Sequence, residues 1–133
     1  MHDISAAQGI ARTVLEAAAE RDAERVERVR IVLGAMQMID PEQLQFWLAQ
    51  ILRGTIGEGA EIEIERRPLM IRCEACGYEG EVEVPEDPIY HLMAFAPICP
   101  ECGSDQLRVL GGDECIVQSI RVTAPDGRDD GDA

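Results

Sequence analysis

Lysine is absent from this 133-residue chain. All twelve basic residues are arginine, set against 26 carboxylates, and the net charge is −14 at pH 7. Phosphate backbones repel such a polyanion, which argues against DNA or RNA as a partner. A cationic patch on another protein fits better. Long apolar runs are also missing. None approaches the ~20 residues that a membrane-spanning helix requires. The amino terminus lacks the basic-then-apolar pattern of a secretory signal. The expected location is the cytoplasm, with no membrane partner. Catalytic signatures are scarce as well. There is no nucleophile–base pair, no phosphate-cradling loop and no open ligand pattern of a catalytic zinc. The only two histidines, His2 and His91, lie far apart in sequence. The chain is therefore not expected to be an enzyme.

Nearly half of the residues are apolar (46%). That supports one modest domain, or two very small ones of which the smaller needs a staple. Residues 2–4 read as a short edge strand. Ser5 and Gln8 form a capping box for a helix reaching about Arg21, with Ala7, Ile10, Ala11, Val14 and Ala18 on one face. Val26–Leu33 alternates as a strand. Asp40 caps a second helix with Pro41 at its first position, and Leu44, Trp47, Leu48, Ile51 and Leu52 form its apolar stripe. Glu61–Arg66, Leu69–Arg72, Glu81–Val84, Gln106–Leu110 and Cys115–Val122 read as further strands.

The cysteines are ordered. Cys73-x-x-Cys76 is followed, after residues 77–98, by Cys99-x-x-Cys102, and each pair precedes a glycine, Gly77 or Gly103. Two thiolates on one turn grip a metal, and the glycine lets the backbone reverse and aim N–H groups at sulfur. Four sulfurs make a closed tetrahedral shell suited to structural zinc. Iron in the same cage and a pair of disulfides are the alternatives, and a reducing compartment disfavours the latter. Cys115 stands apart and reads as a buried, inert thiol.

The chain opens Met1-His2-Asp3. An α-amine, the amide nitrogen of residue 2 and the imidazole Nδ1 of a histidine there close adjoining five- and six-membered chelate rings. Three nitrogens in a plane suit Ni(II) or Cu(II). Asp3 or the one other histidine, His91, is available to complete the shell.

From Met1 to about Val122 the chain resembles the HypA/HybF family of hydrogenase nickel-insertion proteins. The resemblance is carried by Met1-His2-Asp3-Ile4-Ser5, Val32-Leu33-Gly34, Gly54-Thr55, Gly59-Ala60, the cysteine pairs with Cys99-Pro100-Glu101-Cys102-Gly103, and Ser119-Ile120-Arg121-Val122. It implies an α+β fold: a small sheet with two helices as a nickel-binding domain, plus a four-cysteine zinc-ribbon-like domain. On this chain those would be residues 1–67 with 115–124, and residues 68–114; the acidic, Gly-rich residues 125–133 read from their composition as a disordered tail. The resemblance also implies nickel as cargo on Met1, His2, Asp3 and His91, and structural zinc on the four cysteines. Members usually carry glutamate third, one methylene longer than Asp3. Asp40 matches an acidic position thought to assist nickel in some members, beside its role as a helix cap. The implied partners are the GTPase HypB and the large subunit of [NiFe] hydrogenase. Monomer and homodimer both stay open. The competing reading is a zinc-ribbon adaptor or regulatory protein with no nickel role.

Overall fold

The computed structural model of the protein describes residues 2–85, 95–124 and 129–132. Its elements run α1 (His2–Glu20), β1 (Arg25–Gly34), a 3-10 turn (Ala35–Gln37), α2 (Pro41–Ile51), β2 (Glu61–Arg67), β3 (Leu69–Cys73), β4 (Glu79–Val82), β5 (Leu107–Gly111), β6 (Cys115–Thr123) and β7 (Asp129–Asp132). This is an α+β fold in two compact units. The first comprises Met1–Val32, Ile39–Glu65 and Cys115–Ala133, and the second Leu33–Met38 and Arg66–Glu114.

In the first unit α1 packs against α2 and against β6, and the sheet has the order β2-β1-β6-β7. The apolar spacing explains the helical faces. Ala7, Ile10, Ala11, Val14 and Ala18 recur every three or four residues on α1, and all are buried. Leu44, Leu48 and Leu52 do the same along α2 and just past its end. Trp47 and Ile51 are only half-buried, and Trp47 meets the exposed Phe46 ring edge-on at 5.2 Å. Val26, Val29 and Ile31 of β1 and Ile120 and Val122 of β6 complete a core in which, among the described residues, no polar side chain is buried. The rim is held by weaker links. Arg30 Nε meets Glu63 Oε2 at 3.1 Å, an ion pair about 40% exposed on each side and worth under ~1 kcal/mol.

The start of α1 corrects the sequence reading. Residues 2–4 are helical and not an edge strand, and Ser5 lies inside the first turn, so the Ser5/Gln8 box does not begin the helix. Half-buried Ile4 carries the apolar stripe back one turn from Ala7, and the helix follows it to His2. At α2 the expected cap is present: Asp40 Oδ1 accepts the Glu42 N–H at 2.9 Å, and Pro41 follows at the first helical position. The tail contributes a short strand. Asp129–Asp132 runs antiparallel to β6, with Asp132 opposite Arg121.

In the second unit β3 is central, antiparallel to β4 on one side and to β5 on the other. The 33–38 segment is bound in closely. The Gly34 N–H donates to the Glu114 carbonyl at 2.8 Å and the Met36 N–H to the Gly112 carbonyl at 3.0 Å. A Cβ on Gly34 would collide with the Gly112 carbonyl group and stand 2.8 Å from the Glu114 oxygen. Backbone atoms cannot give way as a flexible side chain does. Gly34→Ala is therefore expected to cost about 1–3 kcal/mol, read as a lower urea midpoint. An unshifted midpoint would show that the close approach relaxes freely.

Candidate metal centre

Two knuckles with one hydrogen-bond plan build the site. In the first, the Cys73 N–H donates to the Tyr78 carbonyl at 2.8 Å, and the Gly77 N–H donates to the Cys73 carbonyl at 3.0 Å. In the second, the Cys99 N–H donates to the Ser104 carbonyl at 2.8 Å, and the Gly103 N–H to the Cys99 carbonyl at 2.9 Å. Each reversal passes through a glycine in the left-handed region, Gly77 at φ 83° and Gly103 at φ 78°. Amides also point at sulfur: the N–H of Cys76 at Cys73 Sγ and that of Glu101 at Cys99 Sγ, both at 3.4 Å. The first knuckle begins at the end of β3. The Glu74 N–H ties it to the Gln106 carbonyl, at 2.8 Å, just before β5.

The knuckles bring Cys73, Cys76, Cys99 and Cys102 together, with all four sulfurs within 4.8 Å of one another. Cys73 Sγ lies 3.6 Å from Cys102 Sγ, and Cys76 Sγ 3.7 Å from Cys99 Sγ. A tetrahedron of sulfurs on a cation at about 2.3 Å has edges of about 3.8 Å. These separations fit that shell, and none of the four cysteines is in a disulfide. Cys73 and Cys99 are buried, Cys76 and Cys102 exposed. Among the described residues no other group of three or more histidine, cysteine or acidic side chains comes together this way. Four protein ligands leave no position for water or substrate, so the arrangement suits holding a cation and not hydrolysis.

Crowding divides the thiols. The Cys76 amide, chiefly, lowers the Cys73 thiol to about 7. At Cys76 the Tyr78 amide pulls downward, but desolvation and the three neighbouring sulfurs outweigh it and push the thiol up to about 12. Cys102 is pulled down most strongly by the Ser104 amide, yet desolvation and neighbouring sulfurs raise it overall. Four thiolates this close need a positive charge between them.

The other candidates lie outside this group or outside the described residues. His2 and Asp3 sit in the first turn of α1. Asp40 is occupied as the α2 cap. Met1 and His91 lie outside the described residues. Cys115 opens β6 half-buried and is not a member of the four-sulfur group, and burial pushes its thiol up. Sequence reasoning missed the ties at Tyr78, Ser104 and Gln106. All three use backbone carbonyls, which no residue type announces.

Comparison with known proteins adds a family. The family model for hydrogenase/urease nickel incorporation metallochaperones, HypA, matches residues 1–122. The hydrogenase maturation factor HypA of Methanothermobacter thermautotrophicus is 42% identical over 128 residues, spanning 95% of this chain and 100% of that one. That of Methanopyrus kandleri is 38% identical over 135 residues, spanning 94% and 95%. In three dimensions the chain is similar to the solution structure of the Ni metallochaperone HypA from Helicobacter pylori. That similarity has a TM-score of 0.64 at 18% identity and covers 93% of this chain and 99% of that one, a likeness of fold.

Cation binding at the four sulfurs displaces protons, so affinity must fall with acidification. The sign follows from the thiols: the bound form carries fewer protons than the free form, and lowering the pH favours the free form. With zinc as probe and a chromogenic chelator as competitor, apparent affinity should drop steeply from neutral to acid pH. An affinity independent of pH would contradict thiolate ligation.

Proposed function

Because the chain belongs to the HypA family of hydrogenase/urease nickel-incorporation metallochaperones, we propose that it carries Ni(II) at its amino terminus and hands it on for maturation of [NiFe] hydrogenase. The ligands in this reading are the Met1 α-amine, the His2 amide nitrogen and the His2 Nδ1. Asp3 or His91 closes the shell. The cation on Cys73, Cys76, Cys99 and Cys102 is zinc, and its task is structural. HypB, a GTPase, and the hydrogenase large subunit are the partners, in the cytoplasm.

The observation that carries the reading is the start of α1 at His2. The first amides of a helix have no intrahelical carbonyl to donate to. Removing the His2 amide proton to bind a metal therefore breaks no helical hydrogen bond. Asp3 stands in the same turn, one residue on. The donor sets also keep two metals apart. Four thiolates make a tetrahedral cage, and an amine, an amide and an imidazole make a planar one, which Ni(II) accepts and zinc does not prefer. A terminal shell with one exchangeable ligand suits a carrier, since a receiving protein can enter where that ligand leaves. The sulfur cage has no such opening. His91 lies between Cys76 and Cys99 in sequence, so loosening the zinc shell should alter nickel binding if His91 is the closing ligand.

His2→Ala should abolish tight nickel binding while leaving zinc content unchanged, measured by calorimetry and metal analysis on tag-free chain with its Met1 amine free. Undiminished nickel affinity in that variant would refute the terminal site. The Ni(II) affinity of the unaltered chain should also fall with acidification, because amine and amide must both lose protons to bind.

A further inference from the structure

The four sulfurs are not equivalent, and the difference has a chemical consequence. Cys73 and Cys99 are 1% and 2% exposed, whereas Cys76 and Cys102 face solvent. Each exposed sulfur lies close to the buried sulfur of the opposite knuckle: Cys102 to Cys73 at 3.6 Å, Cys76 to Cys99 at 3.7 Å. Amides support both kinds: the Cys76 N–H points at Cys73 and the Glu101 N–H at Cys99, and the Tyr78 and Ser104 amides act on Cys76 and Cys102. A bound cation keeps all four sulfurs as thiolates, and an exposed thiolate beside a buried one is the arrangement of a reactive cysteine with its resolving partner.

We propose that Cys76 and Cys102 are peroxide-reactive positions, and that their oxidation closes two disulfides between the knuckles, Cys76–Cys99 and Cys73–Cys102, with expulsion of the cation. This rests on the reading that the four sulfurs hold a divalent cation. The oxidant is hydrogen peroxide. An exposed thiolate attacks one peroxide oxygen, the O–O bond breaks, and hydroxide leaves to be protonated to water. The product is a sulfenic acid on Cys76 or Cys102. The buried thiolate across the cluster then attacks that sulfur, the S–S bond forms, and the hydroxyl departs as a second water after taking a proton. Per pair, two thiolates give up two electrons, and one peroxide and two protons become two waters. Two pairs consume two peroxides and four protons and free the dication, which no longer has a thiolate to hold it. Both disulfides join the halves that the cation had joined, so the unit stays tied while its metal is lost.

Cys115 is an internal control. It is half-buried and lies outside the four-sulfur group, so no cation in that group holds it as a thiolate. It should stay reduced while the cluster is consumed.

The sequence allows the pairing to be read directly. Glu74 separates Cys73 from Cys76 and Glu101 separates Cys99 from Cys102, so cleavage after glutamate puts all four on different peptides. Trypsin would leave them on one, since no arginine lies between Cys73 and Arg108. Full-length, zinc-loaded protein is treated with hydrogen peroxide in the presence of a chromogenic chelator. Free thiols are then blocked and the glutamate-specific digest is analysed by mass spectrometry. The expected result is release of all the bound zinc for about two peroxides consumed, with Cys76–Cys99 and Cys73–Cys102 peptides and an alkylated Cys115. Disulfides within the knuckles, Cys73–Cys76 and Cys99–Cys102, would overturn the proposal. So would zinc retained while Cys115 alone is oxidised. The zinc content before oxidation tests the cation reading separately. If it were nil, that reading would fail, and the pairing map would still decide the oxidation chemistry.

Discussion

Four thiolates within 4.8 Å of one another repel, and the second unit of this chain depends on a cation to hold them. Magnitudes explain the dependence. The described apolar side chains buried in that unit are few: Leu33, Leu69 and Ile71 beside Cys73 and Cys99. Ile98, Val109 and Leu110 remain exposed. Each buried aliphatic side chain contributes about 1.5–3 kcal/mol. A structural zinc contributes about 10–16 kcal/mol at neutral pH, more than those three aliphatics together. In the proposed reading the metal takes the place of a core, and β3, β4 and β5 supply the geometry that the knuckles need. The first unit has no such need, because its two helices and sheet bury a continuous apolar set of their own.

In the proposed reading, two metals in one chain follow from two kinds of donor. The sulfur cage is complete with four protein ligands and offers a receiving protein no point of entry. The nitrogen set proposed at the front of α1 is incomplete without a further ligand, and that incompleteness makes transfer feasible. Tight retention and ready release are thus assigned to different places, each by its own ligand chemistry.

Much of this was legible in the residues. The cysteine spacing with Gly77 and Gly103 pointed to the paired knuckles, because few other arrangements use that pattern. Asp40-Pro41 marked the start of α2 because capping is local. The α+β class was implied by the family resemblance, and the two helical stripes and the alternating strands agree with it. Other features depend on tertiary contact. The front of α1 misled because Ser5 and Gln8 have cap-forming side chains, yet the apolar stripe continues to Ile4 and the helix winds on to His2. Strand β4 starts at Glu79, not Glu81, because the Tyr78 carbonyl closes the knuckle and frees the chain to extend at once. The joining of Leu33–Met38 to the second unit through Gly34, Met36 and Gly112 has no sequence signature beyond two glycines.

The division between a sulfur cage for zinc and a nitrogen site for nickel is tested most directly by X-ray absorption at both metal edges. The sample is the tag-free chain with its Met1 amine free, loaded with both ions. The account predicts zinc surrounded by four sulfurs at about 2.3 Å and nickel surrounded by nitrogen and oxygen alone. Sulfur in the nickel shell, or nickel replacing zinc among the cysteines, would contradict it.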